Sequence, residues 1–185
     1  MKPWIPALAA LALAPAAHAV TYQAVAPEKS TVTFNFKQMG VNMAGKFRKF
    51  GAQLQFDPVK PEQAKASVEI DLASVDAGSK DADQELVGKS WFNTGAFPKA
   101  SFASRQIRLV SPGEYEVTGT LTIKGQAREV KFPLKLTAQG PQAVFAGGFT
   151  VRRGDFAIGE GMWSKFDVVA NDVQVSFQLV AQAGK

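Results

Sequence analysis

The chain has no cysteine, and its one histidine is His18. Without cysteine there are no disulfides, so the fold must rest on its core; 185 residues suffice to bury one. His18 falls within the leader segment described below, so the remainder carries no imidazole at all. Ser-His-Asp triads, Cys-His pairs, His/Cys zinc or copper sites and His- or Cys-ligated haem are thereby excluded. Carboxylate, lysine, serine and tyrosine chemistry remains available, but no constellation of these residues stands out. No Lys/Arg tract interleaved with aromatics occurs, so nucleic acid is not an expected partner. No metal site or cofactor is expected. The late acids Asp155, Glu160, Asp167 and Asp172 match no calcium loop.

Long apolar runs are also scarce. The one present lies at the start. Met1-Lys2 is followed by an apolar stretch from Ile5 to Ala14, a break at Pro15, and small residues at Ala17-His18-Ala19. This reads as a secretory signal peptide over 1–19, cleaved after Ala19, ahead of one domain over 20–185. The run is too short for a stable bilayer anchor. The expected location is the periplasm. Losing Lys2 with the leader lowers the formal charge from +5 to +4, a mild and scattered basicity.

What is abundant is alternation with a period of two, the mark of strands with one wet and one buried face. Val32, Phe34 and Phe36 share a face, as do Phe50, Ala52, Leu54 and Phe56. Between them, Met39 to Ala44 reads as a loop and a candidate mouth. Val68, Ile70 and Leu72 alternate next. Ser79 to Val87 is the one helical pattern, with Ser79 or Asp81 as N-cap and Gly88 as its end. Trp91, Phe92 and Phe97 follow in irregular sequence, where a second short helical piece is expected and the group could cap a barrel end.

Strand patterns then resume. Ala100 to Val110 carries two apolar phases that do not match, which predicts a bulge near Ser104 to Gln106. Tyr115, Val117, Gly119, Leu121 and Ile123 alternate cleanly. Val130, Phe132, Leu134 and Leu136 do so next, with Pro133 predicting an edge or bulge. Phe145, Gly147, Phe149 and Val151 follow, and glycines inside a strand predict curvature or a close approach. Arg153 to Phe166 reads as a short strand and a Gly-rich loop, with Arg152-Arg153 and Asp155 as a local ion pair. Val173, Val175, Phe177 and Leu179 close the pattern. Eight or nine strands, one helical insertion and no repeat predict an antiparallel sandwich or barrel.

Several segments taken together resemble the YceI family of exported, lipocalin-like barrels. They are STVTFNFKQMGVNMAGKFRKFGAQLQFDP, VEIDLASVDAG, WFNTGAFPKASFAS, YEVTGTLTIKGQAREVKFPL and RRGDFAIGEGMWSKFDVVANDVQVSFQL. The likeness spans Val20 to Leu179. It rests on Gly45-Lys46-Phe47, Phe97-Pro98 and Gly119 to Gly125 in that order. The family often places acids before and after the aromatic pair, where this chain has Ser90 and Asn93. The resemblance implies an all-β fold: an extended antiparallel eight-stranded barrel, a short helical insertion after the third or fourth strand, and a long apolar interior. It further implies a binding or carrier protein for a polyisoprenoid, an isoprenoid quinone or a similar lipid, and not an enzyme. A homodimer and a transient contact with the membrane or a membrane cytochrome are open under this reading.

The candidate ligand wall is Phe34, Phe36, Phe50, Leu54, Phe56, Val68, Ile70, Leu121, Phe132, Phe149 and Phe177, with Trp91, Phe92 and Trp163 as lid or mouth residues. A solid core has the same period, and alternation cannot tell the two apart. Lys46 and Arg48 share parity with Phe50 and Leu54. An unbulged strand aims them inward as a headgroup site, and a bulge leaves them in water. Two other functions stay open: an outer-membrane barrel, disfavoured by a C-terminus without a terminal aromatic and by the Thr, Lys, Gln and Glu of the second face, and a His/Cys-independent enzyme.

Overall fold

The alternating runs form eleven strands of one strongly curled antiparallel sheet in the computed structural model, which describes residues 20–184. The expected leader over 1–19 lies outside the described residues. In chain order the strands are β1 (Tyr22–Val25), β2 (Thr31–Gln38), β3 (Val41–Phe47), β4 (Phe50–Gln55), β5 (Lys65–Asp71) and β6 (Val75–Asp76), followed after helix α1 (Lys80–Val87) by β7 (Lys99–Ser111), β8 (Glu114–Ile123), β9 (Gln126–Gln139), β10 (Gln142–Arg152) and β11 (Asp172–Ala183). The spatial order is β4-β5-β7-β8-β9-β10-β11-β2-β3-β6, and β1 pairs with the far end of β11. Tyr22 and Phe56 exchange two main-chain hydrogen bonds, 2.8 and 3.0 Å, so β1 links the free edge of β4 to β11 and the sheet meets itself at that end. The fold is thus the expected lipocalin-like barrel with one helical insertion, built from eleven strands rather than eight, and the insertion follows the sixth strand rather than the third or fourth because the division of Gly45 to Phe56 and the short β6 add strands ahead of it.

The two alternating runs between Val32 and Phe56 form three strands, β2 to β4, and the short β6 is a further addition. Met39 to Ala44 is not a loop. Met39 and Gly40 alone make the turn, with φ of +49° and +81°, the positive pair of a tight hairpin whose twist suits both strands. Val41 then continues as β3. Gly45 to Phe56 is not one strand either: β3 pairs with β2, β4 pairs with β5, and Arg48-Lys49 is the kink between them. The kink is held from outside the strand, by Arg48 N–H on the Ser74 carbonyl (3.0 Å) and Lys49 N–H on Ser74 Oγ (2.9 Å). Between Arg153 and Phe166 there are 3-10 turns and no strand.

Elsewhere the local rules hold. Pairing of β7 with β8 slips between Ser104 and Gln106, where the two apolar phases collide. Ser79 caps α1, its Oγ accepting from Ala82 N–H at 3.2 Å, and Gly88 ends it. No second helical piece follows; residues 88–98 are turns. Pro133 pairs with Glu116 on β8, and the β9–β10 ladder ends beside it at Leu134–Gly147. Phe132 and Phe149 stack across the resulting gap, centroids 5.0 Å apart.

One end of the barrel is solid. Phe56, fully buried, meets Tyr115 edge-on at 5.0 Å and Phe145 at 5.1 Å, and Tyr22 meets Phe145 at 5.7 Å. Ala143 and Ala181, both fully buried, leave room for these rings. Burial of Tyr115 pushes its phenol above the ordinary tyrosine range. Along β11 the inward side chains change character away from this floor. Leu179 and Ala181 are buried, while Phe177, Val175 and Val173 are half-buried although they face inward. Inward side chains that are not covered are the signature of a hollow.

An apolar cavity under a wrapped cap

The hollow has a volume of about 600 Å³. Three cross-strand arrangements of phenylalanine with glycine keep it open. Gly45 lies opposite Phe34 and Gly147 opposite Phe177, while Gly119 is one step from Phe102. A methyl group placed on these glycines would sit 2.3, 2.6 and 2.5 Å from the respective rings. Each ring therefore lies flat over backbone that has no side chain. A β-carbon there would turn the ring into the lumen.

Phe34, Phe36, Leu54, Phe56, Val68, Ile70, Leu121, Phe132, Phe149, Phe177, Trp91, Phe92 and Trp163 all line this cavity. Phe50 does not; it is half-buried against the floor cluster. Phe97 packs instead on the β8–β9 turn at Gly125. Parity alone missed Phe102 and Val175 as lining residues, as well as Arg153 and Glu85, the ionisable groups of the wall.

Lys46 and Arg48 are on the outside. The kink at Arg48-Lys49 shifts the inward parity, so Met43, Gly45 and Phe47 face in on β3 while Phe50, Ala52 and Leu54 do so on β4. Both cations are well exposed and share Asp76, Arg48 Nη2 at 2.9 Å and Lys46 Nζ at 3.8 Å. The Arg48 contact, then the Gly78 N–H, hold the Asp76 carboxyl below its ordinary range. These residues fasten β6 to β3 and take no part in the cavity.

At the end away from the floor, Gln38, Ser79 and Glu85 are cavity-lining yet exposed, which places the opening between the β2–β3 hairpin, α1 and residues 153–170. The last segment is wrapped around one side chain. Arg153, 2% exposed, donates from Nε to Ala170, from Nη1 to Ile158 and Gly159, and from Nη2 to Trp163, Lys165 and Val169, at 2.8–3.2 Å. All these acceptors are backbone carbonyls. The guanidinium also lies 5.3 Å from the Trp91 ring centroid and 4.8 Å from that of Phe166. Desolvation lowers its pKa, and no carboxylate among the described residues pairs with it. The expected ion pair with Asp155 is absent because the chain turns at Arg153 and sends the side chain inward; Arg152 is the residue beside an acid, 3.9 Å from Asp172.

Further ties hold this cap to the barrel. Lys124, itself at φ +49° in the β8–β9 turn, reaches Glu160 at 2.5 Å, the Ala157 carbonyl at 2.7 Å and the Lys89 carbonyl at 3.2 Å. The Ser90 carbonyl accepts from Gly159 and Glu160 N–H, so its main chain serves the cap. Trp163 Nε1–H donates to Glu85 on α1 at 2.8 Å. Trp91, tilted against Trp163 at 5.5 Å, is 6% exposed, and its Nε1–H is buried with no acceptor among the described residues.

Around the opening the surface is apolar. Five of the nine large exposed hydrophobics among the described residues gather there: Met39, Val41, Met162, Phe166 and Val168. The two segments carrying them are joined by Met39 N–H on Val168 O (2.7 Å) and Ala170 N–H on Lys37 O (2.9 Å). Met39 occupies a left-handed turn position at 76% exposure, where asparagine or glycine would be the unstrained choice.

Comparison with known proteins adds the following. The model of the YceI-like domain matches residues 23–181. A UPF0312 protein of Shewanella oneidensis is 28% identical over 160 residues, covering 83% of this chain and 81% of the relative. The crystal structure of Burkholderia cenocepacia BcnA is 40% identical, with a TM-score of 0.84 over 86% of this chain and all of that one. A polyisoprenoid-binding domain from Saccharophagus degradans, described as implicated in plant cell wall breakdown, shares the fold at 16% identity and a TM-score of 0.70, over 89% of this chain and 99% of that domain.

Proposed function

The chain belongs to the YceI-like domain family, and from that premise we propose that it is a periplasmic carrier that encloses a long apolar ligand, a polyisoprenoid or similar lipid, and performs no chemistry on it. The observation that carries this reading is the hollow itself: about 600 Å³ walled by aromatic and aliphatic side chains, within the range of ligand sites. It is about four times the ~150 Å³ engineered cavity that accepts benzene, which leaves room for roughly twenty to twenty-five carbon atoms. Each methylene transferred from water contributes about 0.8 kcal/mol before the entropic cost of association. The polyisoprenoid-binding domain has the same fold, which makes an isoprenoid chain the first ligand to test. The apolar run and Ala17-His18-Ala19 at the N-terminus support export.

The outer wall speaks against a membrane-embedded barrel. Ion pairs sit on its strands, Lys99–Glu69, Arg105–Glu129, Arg108–Glu116 and Lys131–Glu116, where a lipid-facing wall would be an apolar band. Protein recovered without detergent from the periplasm of its source cells should release one long-chain lipid into chloroform, at close to one per chain by mass spectrometry. Repeatedly empty protein would overturn the proposal.

The apolar rim supports a second element of the same reading, transfer at a bilayer surface. A ligand this apolar is held in membranes, and the rim lets it cross without meeting water. The double substitution Met39→Gln, Met162→Gln should slow uptake of a fluorescent isoprenoid from phosphatidylglycerol-containing vesicles at least ten-fold, since full burial of the two methionines is worth about 3–6 kcal/mol and contact with the bilayer surface realises part of it. Affinity for the same probe added from ethanol should not change. Equal uptake rates by wild type and variant would remove the membrane step.

A further inference from the structure

All the methionines among the described residues stand at the open end of the barrel. Met39 fills the β2–β3 turn at 76% exposure, and Met162 lies in the 3-10 turn Gly161–Trp163 at 87%. Met43, just beyond Val41 on β3, is half-buried and lines the cavity. Methionine usually fills irregular gaps in a core, yet none of the three core clusters contains one. The turn at Met39 asks for a different residue. With φ of +49° ahead of Gly40 it holds a hairpin position where asparagine or glycine is unstrained. Folding therefore gives no reason for methionine at 39, and solubility gives none at 162. What a thioether has and leucine lacks is reactivity. In a chain without cysteine, these exposed sulfurs are the side chains most open to oxidation.

We propose that Met39 and Met162 are modification sites for a peroxide oxidant, and that their sulfoxides slow the loading of the cavity. The sulfur lone pair takes one oxygen from hydrogen peroxide as the O–O bond breaks. The sulfur is oxidised by two electrons, and the other oxygen leaves as water after receiving the proton of the first. Neither exposed side chain needs any opening of the fold to react, whereas Met43 is half-buried, so a limiting dose selects the rim. Each sulfoxide turns a flexible apolar side chain into a polar one, on the surface that Val41, Phe166 and Val168 complete. Met39 is held by its main chain, its N–H on the Val168 carbonyl at 2.7 Å, so the added oxygen changes the surface and leaves the joint between the two rim segments intact. The modification is reversible, because sulfoxide reductases return the thioether.

The inference rests on ligand transfer at a bilayer surface and adds its regulation. Wild type and the double variant Met39→Leu, Met162→Leu are treated with limiting hydrogen peroxide, and peptide mass spectrometry locates the added oxygen. Uptake of a fluorescent isoprenoid from phosphatidylglycerol-containing vesicles is then read for each treated protein against its own untreated sample, which cancels any effect of the leucines themselves. Met39 and Met162 should gain oxygen before Met43. Treated wild type should load about ten-fold more slowly or worse, since the rim loses apolar surface at two positions. Its affinity for the same probe added from ethanol should hold, and a pair of methionine sulfoxide reductases covering both epimers should restore the rate. The leucine variant should load equally fast with and without peroxide. An unchanged wild-type rate with both sulfoxides in place, equal slowing of the leucine variant, prior oxidation of Met43, or a matching loss of affinity from ethanol would each overturn the inference and leave the carrier reading standing. Untreated wild type that binds the probe from ethanol but not from vesicles would overturn the membrane step instead, and one that binds it from neither would overturn the carrier reading.

Discussion

Replacing Arg153 with methionine should lower the thermal midpoint by about 10 °C and loosen the cap over the cavity. Methionine matches the stem of arginine in length and apolarity, so little packing is lost. What disappears is the donor set on which residues 157–170 are wrapped: six backbone carbonyls lose their partner at once. A buried acceptor left bare costs about 1–3 kcal/mol. The segment will peel toward water and recover part of that, so a net loss of about 3–5 kcal/mol is expected. For a domain of this size each kcal/mol is worth about 2–4 °C. Lysine will not rescue. Its ammonium has three donors on a point, against the planar fork that six carbonyls require here. Gly159 belongs to the same assembly: a β-carbon there would lie 2.1 Å from Arg153 Nη1, on a backbone at φ +80° that disfavours one. Melting followed by circular dichroism gives the global term. Hydrogen exchange of residues 158–170 gives the local term, should the cap detach while the barrel holds. A variant unchanged in both measurements would show that the guanidinium does not organise the cap.

The course of the chain explains why Arg153 was illegible in sequence while much of the barrel was legible. Alternation is a local property, and it placed the inward faces of β2, β5, β8, β9 and β11 because each of these pairs without interruption along its inward run. The bulge in β7 was readable for a related reason, since two apolar phases cannot be reconciled without one extra residue. The parity of Lys46 and Arg48 failed because the kink that resets it is made by Ser74, twenty-odd residues away by the sequence separations of its bonds to Lys49. No local pattern records that contact. Proximity in sequence pairs Arg152-Arg153 with Asp155 at a strand end, and it carries no sign of which way the Arg153 side chain turns. The strand ends at Arg152, and five residues later the chain is in a left-handed conformation at Ala157. Hollowness sits between these cases. The phenylalanines and glycines that keep the lumen open are plain in the sequence, but their partnership exists only in the register, Phe34 against Gly45 and Gly147 against Phe177.

Ile70→Trp should cut affinity for a long isoprenoid by two orders of magnitude or more and leave the stability of the empty protein where it was, or raise it. The position is chosen so that a hollow and a filled barrel give opposite answers. Ile70 is half-buried, faces the cavity, and packs on none of the three core clusters among the described residues. Its neighbours across the sheet are Phe50 and Ala100. In a filled core, a tryptophan here would be overpacking, costing about 1–3 kcal/mol through forced rotamers and backbone shifts. In a hollow, the indole enters unoccupied space and gains contacts with the far wall, so burial offsets the strain. The same indole occupies volume that the ligand tail would have taken. A space of about 600 Å³ cannot hold both, and each methylene shut out forfeits about 0.8 kcal/mol; four of them account for a factor of more than a hundred. Denaturant unfolding and isoprenoid titration on the same sample give the two numbers. A destabilised variant that still binds would mean the lumen described here closes in solution and the ligand, if one is carried, sits elsewhere. A stable variant that does not bind puts the ligand inside the barrel, along the wall that Ile70 shares with Val68 and Leu54.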